Sequence, residues 1–405
     1  MPINDDSMLK NSLLILLYYL AISGFFPLNA QWNDISTDQN NTLWDIDFTD
    51  ENIGYVVGSY GLILKTTDGG AHWDIKPSNT MYQLYSVDFV NDTVGYVAGE
   101  YKTLLKTVDA GESWITLLGL TTTWLRDVHF YNENLGFVVG YSGALLKYTG
   151  ICNACWTQKS TGTNQTLRSI FFITDSIGFA VGDSGTIIKS TDEGETWIQQ
   201  ASGVTNTLNE VYFIDHYTGF ALGDSGLILR TEDQGGTWVS LTTGINHSLL
   251  AISFASSQTG YVVGDKGTVL KTENAGLTWS LQSVDHINLL TGVDFLSSEI
   301  GFISGSEGGV LVTHNGGNVS VKDSPISIES FVYPNPVNQN FQINLSELGT
   351  NNTVVVYDLN GKCILKRNFD AKSAEISTKG WNKGVYMVLV WDNAGSKFSQ
   401  RIAIP

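Results

Sequence analysis

A glycine-centred unit recurs along this chain at a period that few folds can use. The glycine closing each Gly-aromatic-x-x-Gly group falls at Gly58, Gly99, Gly140, Gly182, Gly223, Gly264 and Gly305, in steps of 41 or 42 residues. The tryptophan ending each unit keeps the same step, at Trp73, Trp114, Trp156, Trp197, Trp238 and Trp279. Within the fourth unit, Leu167–Phe172, Ile177–Val181, Thr186–Ser190 and Thr196–Gln200 are short β-rich runs separated by polar turns. No segment sustains a helical apolar period, so each unit reads as a four-stranded antiparallel meander. Four strands in a unit of about 40 residues make one propeller blade. The seventh unit lacks its tryptophan, while a spare copy, Gln31-Trp32-Asn33-Asp34, stands ahead of the first. The expectation is an all-β chain: a seven-bladed β-propeller over 31–322 closed by the N-terminal strand, which leaves no long sheet edge exposed.

The flanking segments read differently. Residues 1–30 carry a lysine, an apolar run from Leu13 to Phe26 and a small residue at Ala30, the pattern of a secretory signal peptide. That run is too short for a comfortable membrane span, so no integral span is expected in the mature form. After Lys322 the repeat stops, and residues 323–405 read as a small β-sandwich with an Asn360-Gly361 hairpin signal. Only 15% of residues are charged, yet the net charge is −18, which argues against nucleic acid or anionic lipid as the main partner.

A turn formula precedes the tryptophans: Thr66-x-Asp68-x-Gly70-x-His72-Trp73, with Asp109, Asp192 and Asp233 at the matching position and Asn274 and Asn315 in the last two units. The side chain can accept backbone N–H bonds within the turn, and the glycine permits positive φ. This resembles the Asp-box of sialidases and related glycoside hydrolases, where the resemblance implies a structural, peripheral role. The third unit replaces the formula with Cys152-x-x-Cys155. In an exported protein this pair reads as a disulfide ahead of a redox motif or a metal site, which would need further ligands. Cys363 stands alone and reads as a buried thiol.

Two loop sets of a propeller share the channel mouth. One carries Glu100, Asp183, Asp224 and Asp265; the other leads into Trp44, Tyr85, Arg126, Arg168 and Asn209 at the starts of inner strands. Such a ring can recognise a glycan or a peptide loop. The plainer reading of Asp183, Asp224 and Asp265 is that they cap Gly-Asp-x-Gly turns. A glycosidase would need a pair of carboxylates roughly 5–9.5 Å apart. The arginine triad of sialidases is not supported, because Arg230 fills the basic position that Lys65, Lys106, Lys189 and Lys271 fill elsewhere. No histidine group has metal spacing, so no metal or cofactor is expected.

Residues 31 to about 320 resemble the seven-bladed family of photosystem II assembly and stability factors, through their Gly-Tyr/Phe-x-x-Gly-x-x-Gly and Thr-x-Asp-x-Gly-x-Thr-Trp units. The resemblance implies a non-catalytic propeller that binds a protein partner. Of that family's basic patch only fragments appear, at Arg126 and Arg168. The last 75 residues or so resemble the C-terminal sorting domain of type IX secretion cargo, through Tyr333-Pro334-Asn335-Pro336, Val356-Tyr-Asp-Leu-Asn-Gly-Lys362, Gly384-Val-Tyr386 and the strand ending at Pro405. That resemblance implies type IX machinery as a partner and a final location in the medium or on the outer cell surface. The functional expectation is a non-catalytic module for an unknown protein or glycan. The rival classes are a glycosidase and a purely structural surface protein.

Overall fold

The computed structural model describes residues 32–117, 121, 123–150, 156–282, 284, 288–317, 332–333, 336–337, 339–345, 352–358, 362–391 and 397–405. The signal-peptide segment, Cys152, Cys155, Pro334 and Asn335 lie outside the described residues. The chain divides into two compact units, residues up to 320 and residues from 321.

The first unit is seven four-stranded antiparallel sheets, the blades of a propeller. Six are continuous in sequence; the seventh takes its outer strand from Asn33–Asp34, which pairs with Val310–Thr313. Ile35 N–H and Thr37 N–H continue that ladder onto the Val310 and Gly308 carbonyls, each at 2.9 Å.

Blades pack on one another through rings supplied at fixed repeat positions. The aromatic of one blade's second strand stacks on the inner-strand phenylalanine of the next, as Tyr55 does on Phe89 (3.7 Å) and Phe302 on Phe48 (3.6 Å). The closing tryptophan then meets the stack edge-on. In the seventh blade that tryptophan is Trp32, 5.9 Å from Phe295 at 87° and 6.1 Å from Tyr261. Glycine opens each second strand for a steric reason. A Cβ on Gly54 would lie 2.5 Å from the Phe48 ring, and the same clash recurs at Gly178 with Phe172. The basic position of the third strand lies over the same aromatics: Lys65 over Tyr55, Lys189 over Phe179 and Arg230 over Phe220. These cations therefore serve blade packing.

The turns that keep the formula have the geometry it suggests. Asp68 Oδ1 accepts His72 N–H at 2.8 Å, Asp192 accepts Thr196 N–H at 2.9 Å and Asp233 accepts Thr237 N–H at 2.8 Å. Asp109 does the same with Ser113 N–H (3.0 Å), and its carboxyl is held down to about 2 by that residue's hydroxyl and backbone. Asn274 Oδ1 accepts Thr278 N–H at 3.0 Å, while Asn315 Oδ1 accepts the Thr313 hydroxyl at 3.0 Å.

The second unit holds two sheets around one core. One is ordered Val332–Tyr333, Asn340–Asn344, Ser373–Ser377; the other Cys363–Phe369, Asn352–Asp358, Gly384–Trp391, Lys397–Ile404. Phe341, Ile343, Val354, Val388 and Val390 are fully enclosed between them. Tyr386 is buried with its hydroxyl on the Asn382 carbonyl (2.8 Å), Gly384 begins its strand, and Pro336 is exposed. Cys363 is exposed, contrary to the buried thiol expected, because it starts an edge strand and faces outward.

Trp32 contributes to ring closure alongside the strand beside it, whose ladder runs on through Ile35 and Thr37. Replacing this buried indole with alanine removes contacts to Tyr261 and Phe295 and is expected to cost about 3–5 kcal/mol in denaturant unfolding. A loss below about 1 kcal/mol would show that closure does not depend on it.

Candidate functional site

Every inner strand carries a β-bulge at the same place. The register slips between Leu43 and Asp45, Leu84 and Ser86, Leu125 and Asp127, Leu167 and Ser169, Leu208 and Glu210, Leu249 and Ala251, and Leu290 and Gly292. The residue skipped in each case is Trp44, Tyr85, Arg126, Arg168, Asn209, Leu250 or Thr291. A bulge turns its extra side chain away from the regular alternation. All seven side chains accordingly line one cavity of about 180 Å³ at the mouth of the channel. The first five were anticipated from sequence; Leu250 and Thr291, which complete the ring, were not.

The loop carboxylates brace this ring rather than the turns. Asp183 Oδ1 accepts Arg168 Nε–H at 2.7 Å, and Asp224 Oδ1 accepts Asn209 Nδ2–H at 3.2 Å. Glu100 Oε1 accepts the Tyr85 hydroxyl at 2.8 Å. The turns themselves close through the backbone, with Asp183 N–H on Thr166 O and Asp224 N–H on Thr207 O. Among the described residues Asp265 bonds through its backbone, its N–H on Ser248 O and its carbonyl accepting the Thr268 N–H and hydroxyl. The turn-capping reading is therefore corrected for Asp183 and Asp224: a side chain 15 residues upstream in the same blade offers their carboxylates a stronger donor.

Arg126 is held differently. Its guanidinium lies over the Tyr85 ring at 4.2 Å, and among the described residues no carboxylate pairs with it. Burial and then the Arg168 charge push its pKa down. Trp44 meets the other side of Tyr85 at 5.7 Å.

Below the mouth lies a second set of groups that the sequence analysis missed. Each inner strand turns an unpaired edge of N–H groups toward the channel, and the preceding blade satisfies it. Asp45 accepts Val87 N–H (2.9 Å), Asp47 accepts Phe89 N–H (2.7 Å), Asp127 accepts Ile170 N–H (2.8 Å) and Glu210 accepts Ile252 N–H (2.9 Å). Ser86, Ser169 and Ser253 do the same with hydroxyls. Asp294 of the last blade accepts Phe48 N–H of the first at 3.0 Å, so the belt closes on itself. The signal was present in sequence as polar residues two apart inside otherwise apolar strands, such as Trp44-Asp45-Ile46-Asp47-Phe48.

These carboxyls touch the lumen but are walled in by protein, and desolvation dominates their titration. Burial pushes Asp45 up to about 8 and Asp127 up to about 6, and raises Asp47, Asp88, Glu210 and Asp294, with like charge across the channel adding to the effect. His129, at an equivalent position, is lowered to about 4 by burial, and its Nε2 has no partner.

A family model described as photosynthesis system II assembly factor YCF48 matches residues 26–123, 153–232 and 231–358. A second, the secretion system C-terminal sorting domain, matches residues 331–405. Among curated proteins, the photosystem II assembly lipoprotein Ycf48 of Synechococcus sp. (strain CC9605) is 35% identical over 68 residues, which is 15% of this chain and 20% of that protein. The photosystem II stability/assembly factor HCF136 of Cyanidioschyzon merolae is 43% identical over 47 residues, 11% of each chain. The chain therefore aligns with a fifth or less of the length of these relatives. Among solved structures, YCF48 bound to D1 peptide superposes with a TM-score of 0.60 at 19% identity, covering 72% of this chain and 99% of that one. The WD40 propeller domain of Doa1 gives 0.60 at 12% identity, covering 70% and 95%. At these identities the structures share the fold. The sorting domain places the protein outside the cell, released or attached at the outer surface, and makes the secretion machinery a partner. No helix among the described residues is long and apolar enough to cross a membrane.

The carboxyl belt gives a signed pH dependence. A group whose folded pKa is raised stabilises the fold in acid and loses that contribution as pH rises through the folded value, here about 6 to 8. His129 acts oppositely, its contribution lost as pH falls toward about 4. Thermal stability is expected to fall from neutral to mildly alkaline pH, and Asp45→Asn to flatten that fall by about 1–2 kcal/mol. A slope unchanged in Asp45→Asn would show that Asp45 does not titrate in this range.

Proposed function

Because the chain belongs to the family of photosynthesis system II assembly factor YCF48, we propose that it is a non-catalytic binding module working outside the cell, with the mouth of its channel holding a protein or glycan partner. In this reading residues 1–30 are the leader, 31–322 the binding module and 323–405 the export domain, removed or used for attachment after passage through the type IX machinery. The photosynthetic role of the named relatives does not carry over, since the sorting tail belongs to a different route of export.

The observation that carries the reading is the state of the mouth. Its aromatic and polar side chains converge on one cavity, whereas Glu100, Asp183 and Asp224 are already engaged by Tyr85, Arg168 and Asn209. A guanidinium seated on an aromatic ring without a carboxylate partner is a ready donor for a carboxylate or a hydroxyl-bearing ligand. One solved structure of the same fold, YCF48, was bound to a peptide, which supports a peptide as one class of partner.

Glycoside hydrolysis remains the reading to test against, because raised carboxyl pKa values in a channel are also what a general acid needs. Here each raised carboxyl accepts a backbone N–H of the neighbouring blade, which accounts for its placement without chemistry.

Offered a panel of polysaccharides and outer-surface proteins, the purified full-length protein is expected to bind without releasing products. Arg126→Ala and Trp44→Ala should each weaken that binding by about tenfold or more. Release of reducing sugar, abolished by Asp127→Asn or Asp183→Ala, would overturn the proposal in favour of a hydrolase.

A further inference from the structure

At one level of the channel the blades carry unlike groups. Blades are numbered here from the inner strand Leu43–Phe48. In each inner strand one residue pairs with the aromatic of the second strand: Asp47 with Tyr55, Asp88 with Tyr96, His129 with Phe137 and Asp294 with Phe302. Blades seven, one and two therefore set three carboxyls side by side, and blade three follows with an imidazole. The remaining blades complete the level without charge, through Phe171, Tyr212 and Ser253. Asp47, Asp88 and His129 stand 41 residues apart, so no local metal spacing announces them in the sequence.

Seam bonding accounts for an acceptor at these positions but not for its charge. Ser253 accepts the Phe295 N–H with a hydroxyl, the task that Asp47 performs for Phe89 N–H and Asp88 for Phe130 N–H. Neighbouring carboxylates repel, so three in a row cost what hydroxyls would not. Each also has an oxygen to spare. Asp47 and Asp88 use Oδ2 for the seam, and Glu210, which faces the same space from above, uses Oε2 for Ile252 N–H. Their second oxygens have no hydrogen-bond partner among the described residues, and none of them is sealed in protein.

His129 is a separate mark. Its ring lies against Phe171 (5.1 Å, 21°), and its Nε2 is enclosed with no hydrogen-bond partner. His129, Asp88, Asp294 and Glu210 wall one cavity of about 310 Å³ whose lining includes no lysine or arginine. That cavity adjoins the one at the mouth, the two sharing Asp45, Asp127 and Glu210, so a small solute has a way in.

We propose that this level of the channel binds a hydrated divalent cation of the magnesium type, held through its water shell by Asp88, Asp47, Asp294 and His129. The proposal goes beyond the partner-binding function and does not depend on it. Positive charge is what the carboxyl arc lacks. Metal-bound waters donate hydrogen bonds, which suits both the spare carboxylate oxygens and an unpartnered imidazole nitrogen. Spacing selects the hydrated form: among the described residues no three carboxyl, imidazole or thiol groups are placed to hold one bare ion. Magnesium gives up water reluctantly, whereas calcium takes direct oxygen ligands and zinc a close tetrahedron. Room agrees, since six waters at about 30 Å³ each fill about 180 Å³.

The test titrates magnesium chloride into the full-length protein by calorimetry, after chelator treatment and dialysis into sodium chloride, which screens surface charge. One saturable site per chain is expected. Cobalt(III) hexammine, whose inner shell does not exchange, should compete for it. Asp88→Asn and Asp47→Asn each keep an acceptor for the seam N–H while removing charge, and each should weaken binding by about tenfold or more. His129→Phe keeps a ring against Phe171 and should weaken it by about tenfold. Asp192→Asn, in an outer turn where Asn274 already does the same work, should leave the site unchanged. Circular dichroism establishes that each variant is folded, and if one carboxyl variant is not, the other decides. Absence of a saturable site overturns the proposal, as does a site indifferent to the folded carboxyl variants or weakened equally by Asp192→Asn. Calcium binding tighter than magnesium, or hexammine that does not compete, overturns it in favour of direct chelation.

Discussion

Around the channel, seven strands present edges that cannot pair with one another, because blades diverge radially. The structure depends on how those edges are satisfied. A carboxylate or hydroxyl from each blade accepts an N–H of the next, and the aromatic stacks further out hold the same neighbours together. An unpaired buried N–H costs about as much as a lost hydrogen bond. Polar residues in the middle of inner strands, which look out of place in a core, are thus the counterpart of strand geometry. Burial, and after it their proximity to one another, raises their pKa values, and protonation removes both the desolvation cost and the mutual repulsion.

The mouth ring follows from the same inner strands. The bulge after Leu43, Leu125 or Leu208 lets two successive residues leave the blade, one up to the mouth and one into the channel. Arg126 and Asp127 are neighbours in sequence yet work at different depths, the guanidinium stacked on Tyr85 and the carboxylate on Ile170 N–H. The belt is a fold requirement repeated around the ring; the mouth side chains differ from blade to blade.

Architecture was legible because repetition makes it so. The glycine and tryptophan steps located each blade, and the displaced Trp32 located the seam, where the indole meets Phe295 and Tyr261 as its counterparts do elsewhere. The gathering of Trp44, Tyr85, Arg126, Arg168 and Asn209 at one cavity also followed from repeat register. Partnerships were less legible. Whether Asp183 faces its own turn or Arg168 depends on a rotamer and a bulge that period alone does not encode. The belt of Asp45, Asp127 and Glu210 left a trace, polar residues inside apolar strands, but its partners are backbone groups about 42 residues away that no side chain marks. Cys363 was misplaced because edge and central strands read alike in sequence.

The belt has a direction: every blade satisfies the one that follows it, and Asp294 of the last blade reaches back to the first. The N-terminal strand spans the same seam at the outer radius, waiting on Val310–Thr313. Both seals join the first blade to the last residues of the propeller, and neither exists until those residues are available. A chain that leaves the ribosome or crosses a membrane from its N-terminus is therefore an open arc for nearly its whole length, with Phe48 and Trp32 unsatisfied. It becomes a circle only once Asp294 and Val310–Thr313 are present to meet Phe48 and the N-terminal strand.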